Sequence, residues 1–224
     1  MTSLFEYLEN IHHHLVEVPD EGPYLIHQDI LNDYLQLKKS AEKENYALRI
    51  VSSYRSIERQ CLIWNAKVRG DRKVIDDHNN EIDLQSLSPL DKIFAIMRFS
   101  ALPGTSRHHL GSDIDIYDEN LISKSDLQLT PSECNENGIL CNFHQWLTLS
   151  IQKSQSFSFY RPYDQDTGGV SPEMWHLSHK KSFQNISALY NKDQLRDVIK
   201  LIDFDLKEVV LKNFDHIYDR FIIL

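Results

Sequence analysis

The stretch that most restricts the fold is Ser106-Arg107-His108-His109-Leu110-Gly111-Ser112-Asp113-Ile114-Asp115. The residues from Ser112 to Tyr117 alternate as a strand. Successive strand side chains point to opposite faces, so Ile114 and Ile116 line one face and Asp113 and Asp115 the other. The isoleucine face needs a core to cover it. The other face presents two carboxylates. Gly111 supplies a chain reversal just before the strand, which can bring the His108 imidazole beside the Asp115 carboxylate. Such a pair can hold a divalent metal, or Asp115 can simply pair with His108.

Other segments supply a frame for this strand. Ala47–Ser52 alternates as a second strand, with Leu48 and Ile50 on one side. Phe157–Tyr160 and Met174–Ser178 read as a strand pair, separated by a loop holding Gly168 and Gly169. Ile30, Tyr34, Leu37 and Ala41 recur at helical spacing. Ser56 is placed to cap a helix carrying Ile57, Cys61, Trp64 and Val68. Ser88-Pro89-Leu90-Asp91 is a second helix start, and Ile139–Gln152 a third helix. The tail from Asp193 to Phe221 reads as amphipathic and helical, while 69–87 is polar and irregular. Strands among helices without a βαβ rhythm predict an α+β fold, a small antiparallel sheet flanked by helices.

At 224 residues, one enlarged domain is expected, and the chain is long enough for a sizeable core. A net charge of −9 argues against binding nucleic acid through a general basic field. Three cysteines, Cys61, Cys134 and Cys141, are too few for a disulfide framework. No run of apolar residues is long enough for a transmembrane segment. Residues 1–18 carry Glu6 and Glu9 and no basic start, so no secretory signal is read there. That reading alone places the protein in the cytoplasm.

Two further motifs carry chemistry. Glu173-Met174-Trp175-His176 offers a second histidine and a carboxylate. A catalytic zinc keeps three protein ligands, and His108, Asp115 and His176 make such a set. Glu173 is in sequence reach to act as general base and acid. Residues three apart on a regular strand face opposite ways, so Glu173 must sit in a turn or an irregular strand start. The second motif is Ser52-Ser53-Tyr54-Arg55-Ser56, with Gln60 following. Arg55 is a fork-shaped donor suited to a carboxylate or oxyanion, although an arginine on a loop can also be purely structural. Of the eleven histidines, the consecutive His12, His13 and His14 read as a surface run. His27, His78, His144 and His216 read as structural or surface residues. Cys134, Cys141 and His144 read as core packing rather than a second metal site.

In this order, Tyr54-Arg55, SRHHLGSDID and EMWH resemble the motifs of the VanY-type zinc D-alanyl-D-alanine carboxypeptidases. These belong to the LAS peptidases, whose pattern is a Tyr-Arg pair, then Ser-x-His-x-x-Gly-x-Ala-x-Asp, then Glu-x-Trp-His. The resemblance covers 46–180. It implies a Hedgehog/DD-peptidase-like fold with extra N- and C-terminal helices: a single domain over 1–224, with a helical extension at 1–45, a catalytic core at 46–180 and a helical tail at 181–224. It implies one Zn2+ per chain on His108, Asp115 and His176, Glu173 as general base and acid, and Arg55 on the intermediate or the substrate carboxylate. Ser106, Gln60, Tyr54 and Trp175 would line the substrate site.

The resemblance further implies hydrolysis at the D-Ala-D-Ala end of peptidoglycan stem peptides. Its alternatives are an L,D-carboxypeptidase, a D-Ala-D-Ala dipeptidase, an endopeptidase and a non-catalytic zinc-containing module that binds cell-wall peptides. Its substrates belong to the periplasm or cell envelope, which conflicts with the cytoplasmic reading. Two positions depart from the pattern. Asp113 stands where the family has a small Ala, and Met174 where a proline is common. His109 and His179 neighbour the expected ligands but read as supporting or surface residues.

Overall fold

The computed structural model describes residues 3–222. Helix α1 (Leu4–Glu9) opens with a capping box between Ser3 and Glu6. A short hairpin follows, β1 (Leu15–Glu17) against β2 (Leu25–His27). Then come α2 (Leu31–Lys43), β3 (Leu48–Ser52) and α3 (Ile57–Arg69). Next are α4 (Pro89–Met97), β4 (Asp113–Asp118), α5 (Pro131–Cys134) and α6 (Cys141–Gln152). Strands β5 (Phe159–Tyr160) and β6 (His176–His179) precede α7 (Lys180–Ile186). Helices α8 (Lys192–Leu201), α9 (Lys207–Lys212) and α10 (Phe214–Phe221) follow.

Four strands form one antiparallel sheet in the order β3-β4-β6-β5. β4 lies inside it, and all six of its residues are buried. Ile114 and Ile116 join Leu48, Ile50 and Leu177 in a core closed by Tyr34 and Leu37 of α2 and Phe143 and Leu147 of α6. Burying each such isoleucine contributes about 1.5–3 kcal/mol relative to exposure. A second core holds Trp64 of α3, Ile93 and Ile96 of α4, and Leu195, Val198, Phe214 and Ile217 of α8 and α10. The carboxylate face of β4 therefore belongs to neither apolar cluster.

The helix starts follow their sequence signals. Ser56 accepts from the Arg59 amide and Gly70 ends α3 in the left-handed region. Ser88 accepts from the Asp91 amide, with Pro89 at the first helical position.

One segment differs from expectation. The region 1–45, expected to be helical, also contains the β1–β2 hairpin. Its three-residue strands are too short for periodicity to register. The C-terminal tail is helical as expected and is divided into α8, α9 and α10. The Trp64 indole donates to the Asp205 carbonyl at 2.9 Å, and the Asn65 side chain accepts from the Asp205 amide at 2.8 Å. These bonds from α3 hold the backbone out of helix, and Leu206 turns it with a φ of 67°.

Gly111 is the tightest point near the site. Its φ is +67°, and a Cβ there would lie 2.6 Å from Leu15 Cδ2 and 3.0 Å from the His27 amide nitrogen. The His27 amide also donates to the Gly111 carbonyl at 2.8 Å, tying the hairpin to the turn after His108. Gly111→Ala is expected to cost about 1–3 kcal/mol from strain, read as a lowered Tm. An unchanged Tm would mean the hairpin yields freely.

Candidate metal centre and active site

Strand register creates the site. Asp115 lies directly opposite His176, and Asp113 opposite Ser178. Directly opposed side chains have Cβ atoms about 4.5–5.5 Å apart. His108 arrives from the single helical turn Arg107–Leu110, which Gly111 ends. The result is a buried group in which one ligand atom from each of His108, Asp115 and His176 lies within 4.8 Å of the others. His108 Nε2 is 3.3 Å from Asp115 Oδ2, and His176 Nδ1 is 3.0 Å from Asp115 Oδ1.

The outer ring nitrogens show which atoms face inward. His108 Nδ1 is 2.9 Å from the Ser53 carbonyl, which can only accept, so Nδ1 carries the proton and Nε2 a lone pair. His176 Nε2 is 2.9 Å from Asp113 Oδ2, which is likewise an acceptor. Lone pairs of His108 Nε2 and His176 Nδ1 can therefore converge with the Asp115 carboxylate. Such a convergence needs something positive at its centre, and this donor set fits a zinc ion.

The charge states of His108 and Asp115 agree with that geometry, while His176, held between two carboxylates, carries a proton on each ring nitrogen that a metal must displace from Nδ1. Burial pushes the His108 pKa down, which keeps the ring neutral as a ligand must be. Burial alone would raise Asp115, but His108 and His176 hold it well below the usual carboxylate range. Burial alone would lower His176, but its hydrogen bonds to Asp113 and Asp115 push it up to about 10.

Glu173 precedes β6 in a turn, where its carbonyl accepts from the His176 amide at 3.1 Å. The turn removes the alternation problem and sets Glu173 Oε2 3.6 Å from His176 Nδ1. Burial pushes the Glu173 pKa up to about 7, against the attraction of His176.

A cavity of about 420 Å³ opens on this group, lined in part by Arg55, Lys67, Arg72, Ser106, Glu173 and Trp175. Arg55 is fixed by Nη1 donating to Gln60 Oε1 at 2.8 Å and Nη2 donating to Ser52 Oγ at 2.9 Å.

Two residues expected to line the substrate site do not. Gln60 is fully buried and its amide donates to the Ala101 carbonyl at 2.6 Å, so it braces Arg55. Tyr54 lines a different cavity with Glu9, His12 and Glu58, because neighbouring side chains of an extended segment diverge.

His109 is a brace as well. Its Nδ1 donates to the Arg55 carbonyl at 2.6 Å and its Nε2 accepts from the Gly104 amide at 3.2 Å. His179 accepts from the Ser182 amide and contacts Asp33 at 2.9 Å. Arg107, passed over in the sequence, is buried and donates to Asp113 Oδ2 at 2.7 Å. Its only sequence signal is its place beside His108.

Residues 24–182 match the family model described as VanY, D-alanyl-D-alanine carboxypeptidase. The chain belongs to this family. The VanY match begins within the hairpin region, ahead of the segment where the motifs begin. Two uncharacterized proteins of Haemophilus influenzae are similar to it. One is 40% identical over 91 residues, covering 40% of this chain and 62% of the relative. The other is 24% identical over 125 residues, covering 54% of this chain and 93% of the relative. The alignment thus spans less than two thirds of the first relative's length. Among solved structures, VanYB in complex with D-Alanine-D-Alanine shares the fold at a TM-score of 0.53 and 20% identity, covering 88% of this chain and 87% of that one. A vancomycin-resistance D,D-pentapeptidase VanY variant in complex with Zn(II) gives 0.50 and 21%, covering 83% and 88%. The LdcB LD-carboxypeptidase gives 0.50 and 22%, covering 87% and 76%.

Proposed function

We propose that this VanY-family chain is a zinc-dependent D,D-carboxypeptidase acting on the D-Ala-D-Ala end of peptidoglycan stem peptides. The observation that carries the reading is a buried carboxyl, Glu173, beside a two-histidine, one-aspartate group at the wall of a cavity. A purely structural metal site has no use for that carboxyl. His108 Nε2, the Asp115 carboxylate and His176 Nδ1 would hold the ion. When bound, zinc supplies Lewis-acid chemistry and acidifies a water molecule.

The protein's own groups do the rest. Glu173 takes the proton of the attacking water and returns it to the leaving amine. Arg55, held from behind by Gln60 and Ser52, presents its remaining N–H donors to charge developing on the carbonyl oxygen. Arg55, Lys67 and Arg72 give the cavity a cationic side in a chain of net charge −9. Such a lining suits a substrate ending in a free carboxylate, and favours a carboxypeptidase over an endopeptidase. The core at 46–180, with the flanking segments 1–45 and 181–224, acts as one domain in this reading. No helix among the described residues is long and apolar enough to cross a membrane. The substrate places the activity in the periplasm or cell envelope.

The deciding experiment is mass-spectrometric product analysis of zinc-loaded protein on defined tri-, tetra- and pentapeptides, with a chelator control. Loss of one D-Ala from the pentapeptide alone is expected. Loss from the tetrapeptide would make it an L,D-carboxypeptidase, cleavage within the stem ahead of its D-alanines an endopeptidase, and binding without cleavage a recognition module.

Two substitutions test the roles. Arg55→Ala should lower kcat by about 10²–10³ with zinc content unchanged. Full turnover in that variant would remove the arginine's role. Lys67→Met should raise KM more than it lowers kcat. An unchanged KM would free Lys67 from carboxylate recognition.

A further inference from the structure

Asp113 occupies the motif position where the family carries a small alanine. In this chain the position holds a fully buried carboxylate with four partners. Oδ2 accepts from Arg107 Nε at 2.7 Å and faces His176 Nε2 at 2.9 Å. Oδ1 accepts from the hydroxyls of Ser112 and Ser178, each at 2.9 Å. Arg107 also donates to Tyr160 Oη at 3.0 Å and to Ser178 Oγ, and its guanidinium lies 3.8 Å from the centre of the Phe183 ring. Every acceptor direction of Asp113 is thus committed, and the carboxylate cannot swing away from His176.

We propose that Asp113 is a positioning residue for the metal ligand His176. It fixes the imidazole as the Nε2–H tautomer and aims the Nδ1 lone pair at the ion, with Arg107 and two serines locking the carboxylate in place. An alanine at this position cannot accept the Nε2–H bond. A partner that orients a ligating histidine typically changes metal affinity by about 10–100-fold. The inference rests on the reading that His108, Asp115 and His176 hold zinc. It does not depend on which bond, if any, the protein hydrolyses.

The test is zinc affinity by chelator competition, together with ¹H–¹⁵N multiple-bond NMR of the imidazoles in zinc-loaded protein. In the wild type, His176 should show a metal-bound Nδ1 and a protonated Nε2. Zinc bound through Nε2, or an Nε2 without its proton, overturns the proposal on the wild type alone. Asp113→Ala should raise the zinc Kd by about 10–100-fold. That variant leaves Arg107 buried without its counter-charge and can fail to fold. The double variant Arg107→Met with Asp113→Ala removes both charges and should show the same weakening. Asp113→Asn keeps an acceptor oxygen and should recover most of the affinity. A folded double variant with a Kd within twofold of wild type overturns the proposal. If affinity falls as expected while no peptide is cleaved, the hydrolytic reading fails and the positioning role stands. If peptides are cleaved and affinity does not move, the reverse holds.

Discussion

Glu173→Gln should abolish peptide hydrolysis while leaving zinc content at one per chain. General acid–base catalysis by a positioned side chain contributes about 10²–10⁴ in rate. Glu173 is assigned both the base and the acid step, so a loss near the upper end is expected. The substitution is close to isosteric, and Glu173 contacts the metal group only at 3.6 Å, so fold and metal should survive. The pH profile gives a second reading. Burial pushes the Glu173 pKa up to about 7, so the carboxylate that must accept the proton is depleted as pH falls through that value. kcat/KM should therefore fall toward acid pH. A bound cation favours the carboxylate and moves this limb below pH 7 rather than above it. In Glu173→Gln any residual activity should lack the limb. A variant with activity within tenfold of wild type, or with the limb intact, would remove Glu173 from the reaction.

What could be read from the sequence was whatever depends on local geometry. The Asp-Ile alternation of β4 required one apolar and one carboxylate face, and that is how the strand sits. The spacing of Glu173 and His176 demanded a turn, and a turn is there. The helix caps at Ser56 and Ser88 are likewise local signals. What could not be read depends on register and on packing between distant segments. That Asp113 meets Ser178 and His176 follows from how β4 pairs with β6, and the pairing leaves no trace in either strand alone. Gln60 and Tyr54 follow the family pattern in sequence but do not line the cavity. One is needed to brace Arg55, and the other leaves an extended segment on its opposite side. The break in the C-terminal helices is imposed by Trp64 and Asn65, some 140 residues earlier in the chain. Arg107 shows the same limit, because a charged side chain beside a ligand gives no sign that its partner is a buried aspartate.

The adjacent pair His108 and His109 separates metal binding from scaffolding most sharply. His108→Ala should shed zinc and reduce hydrolysis to background. It removes one of three ligands and leaves the Asp115 carboxylate buried beside His176 alone. His109 is just as buried, but both of its ring nitrogens are spent on backbone, at the Arg55 carbonyl and the Gly104 amide. Burial pushes its pKa down to about 4, so it stays neutral in that double role at ordinary pH. His109→Gln should therefore retain zinc. It should lose turnover only to the extent that the Arg55 loop loosens, about tenfold or more for one misplaced donor. Metal analysis of the two purified variants, alongside circular dichroism to confirm the fold, distinguishes the roles. Zinc retained in His108→Ala at wild-type stoichiometry would break the three-ligand assignment. Zinc lost from a folded His109→Gln would shift the ligand set by one residue, turning the 3₁₀ segment so that a different imidazole faces β4.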